Sequence, residues 1–141
     1  MGSLAIRAPS GIDGGRTAAR HEGVRRIAGT ALTVLACLVL VASAAAKLAR
    51  VPGVALELGS YGIFGGRLTL VACLEIASVV LVLTPRTRRL GLLFVSAYMG
   101  GAMATHLQHG SSMLPPAIVL AVFWLATALR RPGDFSPLLD G

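Results

Sequence analysis

Four apolar runs, near Ile27 to Ala49, Arg67 to Thr84, Leu90 to Leu107 and Leu114 to Leu129, occupy most of this chain. Each is close to the ~17 to 25 residues that a helix needs to cross ~30 Å of hydrocarbon. A backbone in lipid must bond its own N–H and C=O groups, so runs of this length and content are helices. The expected fold is therefore all-α, a four-helix transmembrane bundle. With 13% charged residues, where soluble proteins carry about 25%, a water-soluble globule is excluded.

The expected organisation is a disordered cytoplasmic tail over 1–24, a four-span membrane domain over 25–131 and a short cytoplasmic C-terminal tail over 132–141. Residues 1–24 are rich in Gly, Arg and Ala without a sustained apolar pattern, the composition of a solvated segment. The small residues from Val41 to Ala46 also fit a signal-peptide cleavage site. The long preceding tail and the full-span length of the apolar run weigh against that alternative.

A net charge of +7 raises the question of nucleic acid, but that requires a basic patch on a folded polar surface. Here the cations sit at span ends. Arg7, Arg16, Arg20, Arg25 and Arg26 precede the first span, Arg86, Arg88 and Arg89 separate the second and third, and Arg130 and Arg131 follow the fourth. With four crossings these fall on one side, opposite Lys47, Arg50 and Arg67. The positive-inside rule then places both termini in the cytoplasm, with the protein in the cell's inner membrane.

Between the spans, Pro52 and Gly53 are expected to end the first helix. Val54 to Leu58 and the glycines that follow read as a short interfacial helix and turn capping the bundle, with Tyr61 and Phe64 at headgroup depth. The link from Thr84 to Thr87 is too short for anything but antiparallel neighbours. Ala97, Gly100, Gly101, Ala104 and Thr105 form a small-residue face that favours close helix packing. Trp124 lies within the fourth span as an ordinary packing residue.

Glu75, in the middle of the second run, is the residue most suggestive of function, because a carboxylate in hydrocarbon needs a partner, a proton or a wet cavity. At ~1.5 Å per residue it lies ~12 Å below the outer surface, in the same half of the bilayer as Lys47 and His106. A compact bundle brings the three together. The simpler reading of Lys47 is a side chain near a helix end that snorkels to water. A metal site is not expected, since one helix offers only His106 and His109, and His21 lies in the tail. Cys37 and Cys73, without a Cys-x-x-Cys pair, read as small packing residues. Nucleophile elbows, phosphate-binding glycine loops and dinucleotide fingerprints are absent from the sequence.

The runs SAAAKL at 43–48, LEI at 74–76, TPRT at 84–87 and YMGGAMATHL at 98–107, in this order, resemble the DoxX-like membrane proteins. The similarity covers roughly Arg25 to Arg131. It departs at Tyr61, Gly62 and Ile63, where the family often has Gly-Tyr-Pro. It implies a four-helix membrane bundle in which Lys47, Glu75 and His106 match recurrent polar positions; Tyr98, heading the last run, joins them as a candidate ligand-binding residue. Some members of the family are associated with quinone-linked sulfur oxidation or with membrane oxidoreductase complexes.

The resulting expectation is a subunit linked to membrane redox chemistry, binding a lipophilic small molecule such as a quinone in a polar pocket of the outer half. Glu75 would exchange a proton, and Lys47 and His106 would hydrogen-bond a carbonyl oxygen. No redox cofactor is evident in the chain, so a bound quinone or a partner would supply one. The expected partners are lipid and another membrane protein or a second copy of this chain, not nucleic acid. Two rivals use the same features: a small-metabolite transporter, and an assembly factor that docks through the small-residue face.

Overall fold

The computed structural model describes residues 12–130. Within them the chain forms α1 (Ile12–Leu48), α2 (Pro52–Ser60), α3 (Gly66–Leu83), α4 (Arg88–Gln108) and α5 (Leu114–Arg130). The helices α1, α3, α4 and α5 make a four-helix bundle in which α1 packs on α3 and α5, and α4 on the same two. Helices α1, α3 and α4 are long and apolar enough to span a membrane, while α5, at 17 residues, sits at the short end of that range.

The short links make neighbours in sequence neighbours in space. Arg88 of α4 donates to the Val82 carbonyl and the Thr87 hydroxyl to the Leu81 carbonyl, so the turn after α3 satisfies carbonyls that its helix end leaves open. At the same end Arg130 reaches the Thr33 hydroxyl of α1 at 3.4 Å. The N-terminal part of the first span, the α3–α4 turn and the end of α5 thus share one arginine-rich end, as the charge pattern predicted. The opposite end carries α2 and the α4–α5 turn.

The core is built by Ala36, Cys37, Leu40, Val79, Val82, Val95, Met99 and Phe123. Outside it, Leu38, Leu70, Val80, Leu93 and Ile118 are exposed, which suits a lipid-facing surface. Buried hydroxyls bond within their own helices, Thr33 to the Gly29 carbonyl and Ser78 to that of Leu74.

Several expectations change. Residues 12–24 are helical, where composition predicted a disordered tail. The first span supplies the nucleus, and each added residue extends it at low cost; Arg26 and Glu22 pair across one turn at 2.6 Å. The expected tails over 1–11 and 132–141 lie outside the described residues. Pro52 starts α2 rather than simply ending the helix before it, its fixed φ suiting a first turn. Close helix contact occurs not at Gly100 and Gly101, which have open space around them, but at Gly91 and Gly29. A Cβ on Gly91 would lie 2.6 Å from the Val82 nitrogen, and one on Gly29 would lie 2.7 Å from the Ala126 oxygen. Trp124 faces outward, 40% exposed, and donates its indole N–H to Ser96. Cys37 is buried but Cys73 is exposed, so only the first is an interior packing residue.

Candidate functional site

Glu75 is the tenth residue of α3 and is 3% exposed. Two neighbouring helices supply its donors. From α1, the Lys47 ammonium lies 2.8 Å from Oε1 and 3.1 Å from Oε2. Ser43, one turn earlier on the same face of α1, donates to Oε1 at 3.0 Å. From α4, the Tyr98 hydroxyl donates to Oε1 at 2.8 Å. Lys47 also makes a short hydrogen bond to the Ser43 oxygen, closing a ring of three residues.

Lys47 therefore does not snorkel. It is 8% exposed and points inward. The physical reason is tertiary: Leu58 of α2, with Tyr61 and Ile63 after it, lies over the end of α1 and lines the same cavity as Lys47. Turned inward, the ammonium finds its charge partner on α3, and each ion offsets part of the other's desolvation.

The cluster forms part of the wall of a cavity of about 550 Å³, within the range of small-molecule sites. The rest of the wall is largely apolar, with Val39, Leu40, Val71, Leu74, Met99 and Val119 among its residues. His106 lines the cavity too, but among the described residues it makes no hydrogen bond to Glu75. Its ring instead meets Tyr61 edge-on, with centroids 5.5 Å apart. Tyr61 is further held by His109, at 4.7 Å between centroids, and by a 2.7 Å hydrogen bond to Ser111. These contacts tie the segment after α2 to the α4–α5 turn.

Of the four sequence-derived candidates, Lys47, Glu75 and Tyr98 form one hydrogen-bonded cluster, and His106 lines the same cavity at a distance from it. Ser43 and Tyr61 were not among the candidates. Ser43 had a legible signal, its position four residues before Lys47 on one helix face. Tyr61 had none, because its partners come from a turn fifty residues away. No group of three His, Cys, Asp or Glu side chains that could hold a metal occurs among the described residues.

Fold and site together define a helical membrane protein with a largely apolar cavity carrying a buried ion pair. The chain belongs to the DoxX-like family, whose model matches residues 31–129, a stretch that includes every residue of the cluster. No curated protein matches the chain, and no solved structure does.

Proposed function

We propose that this protein binds a lipophilic small molecule of the quinone class in the cavity, as a subunit that works beside a redox partner in the cell's inner membrane. Both termini then face the cytoplasm, in keeping with the arginines at one end of the bundle. The observation that carries the reading is the cavity itself: about 550 Å³ of largely apolar space meeting the Ser43, Lys47, Glu75 and Tyr98 cluster. A molecule with an apolar body and a polar ring fits that division. Glu75 is the group that exchanges a proton with it, and Lys47 and Ser43 hold the carboxylate in place. Electron transfer belongs to the partner or to the ligand.

Mass spectrometry of small molecules retained by the gently extracted protein tests this. A quinone-type molecule should accompany the wild type and be lost from Ala102→Phe, which puts a ring into the cavity wall. Absence of any retained lipophile, with no binding of added quinone, overturns the reading. A second reading, an assembly partner, draws on the open space around Gly100 and Gly101, which leaves room for another helix to approach α4. A stable membrane protein that co-purifies with the wild type and is lost from Gly100→Leu would favour it.

A further inference from the structure

We infer that the cavity selects a ligand bearing a hydroxyl donor, a phenol or hydroquinone on an apolar body, over one that presents only carbonyl or ether oxygens. The inference rests on the reading of the cavity as a lipophile site and specifies the ligand's polar head.

Donor bookkeeping carries it. The Lys47 ammonium has three N–H groups and three acceptors, the Ser43 oxygen and both oxygens of Glu75. Every hydroxyl that lines the cavity has also committed its single proton. Ser43 and Tyr98 donate to Glu75, Thr105 to the Gly101 carbonyl and Tyr61 to Ser111. Only the ring of His106 retains an uncommitted N–H among the described lining residues.

Acceptor capacity, by contrast, remains. Oε1 of Glu75 takes three donors, but Oε2 takes only Lys47, at 3.1 Å. The Tyr98 oxygen donates and accepts from no other described group, so it has lone pairs to offer. A ligand hydroxyl can therefore add to the cluster without breaking any of its bonds. A ligand carbonyl finds no free donor at the cluster: away from the His106 ring it must either pull Lys47 or a hydroxyl off the carboxylate or remain unpaired, which is the costlier state for a buried polar group.

The test uses the full-length protein in detergent and a redox-inert pair of probes, para-nonylphenol and its methyl ether, which differ only in the methyl group that replaces the hydroxyl proton. The phenol should bind at least about tenfold more tightly, equivalent to ~1.4 kcal/mol. Menadiol should likewise outbind menadione under anaerobic conditions. Equal affinities within either pair, or tighter binding of the ether or the dione, overturn the inference while leaving a lipophile site in place. Failure of all four probes to bind removes the site reading itself, and the inference with it. Glu75→Gln replaces an acceptor oxygen by an amide donor, so the discrimination should fall to within about threefold of parity. Thermal unfolding of the variant confirms that it is folded. Full discrimination in folded Glu75→Gln would take the selection away from the carboxylate and overturn the assignment; the wild-type pairs remain decisive if the variant does not fold.

Discussion

Lys47→Met is the most searching perturbation of this bundle. It removes the three donors that face Ser43 and Glu75 and leaves a carboxylate whose side chain is 4% exposed with only Ser43 and Tyr98 as partners. Removing one member of a buried ion pair costs about 3–5 kcal/mol, because the other charge stays in a site of low polarisability. The two remaining hydroxyl donors do not make this good, since interhelical hydrogen bonds in membranes contribute about 0.6 kcal/mol on average and ~1.7 at most. A loss of about 3 kcal/mol is expected. The double variant Lys47→Met with Glu75→Leu leaves no orphaned charge and packs apolar groups in its place, so it should be more stable than Lys47→Met alone. Equilibrium unfolding in mixed detergent measures both. Trp124, the chain's single tryptophan, reports on α4–α5 packing through its bond to Ser96. A loss under about 1 kcal/mol for Lys47→Met, the size of an exposed pair, would refute the buried-pair argument and restore the snorkelling reading. So would a double variant whose loss equals the sum of the singles, which would show no coupling between the two residues.

Other outcomes follow from particular contacts. Gly91→Ala should destabilise by about 1–3 kcal/mol, since its Cβ meets backbone of α3 that cannot step aside, whereas Gly100→Ala should not destabilise; thermal unfolding of the two variants separates them. In detergent, N-ethylmaleimide that partitions into the micelle should label lipid-facing Cys73 ahead of Cys37, which stays unmodified until the protein is unfolded, as peptide mapping would show. In intact cells, after replacement of both native cysteines, a membrane-impermeant thiol reagent should label Ser111→Cys and spare Thr87→Cys; the opposite pattern would invert the proposed orientation.

The spans were legible because hydrocarbon thickness sets their length, and Pro, Gly and Arg punctuate their ends. Glu75 was legible because nothing in an apolar run excuses a carboxylate. The direction of Lys47 was harder to read, and the reason is instructive. Thr33, Leu40 and Lys47 recur at seven residues with Ala36 and Ala44 between them, and all five are buried. That phase points Lys47 inward. It was hidden because the lipid-facing positions of α1, such as Leu35 and Leu38, are as apolar as the core, so hydrophobicity carries no phase. In α4 the same masking drew attention to Gly100 and Gly101, while the buried line ran through Gly91, Val95 and Met99, four residues apart.

A lipid solvent does not distinguish one apolar helix face from another, so something else must set each helix's rotation about its axis. Here the polar cluster does so for three of the four bundle helices at once. Ser43 and Lys47 turn one face of α1, Glu75 one of α3 and Tyr98 one of α4 toward a common point. Any rotation that exposes one of them to lipid strands a polar group there. The close approach at Gly91 then locks α3 to α4 in that setting. The fourth helix is aligned at the opposite end, through Gly29 against Ala126 and the Arg130 bond to Thr33. The residues that give the cavity its polar wall are thus the ones that orient the helices around it. Their chemistry is therefore constrained by the fold as well as by any ligand, and this is why the Lys47 and Glu75 variants must be read in unfolding and binding assays together.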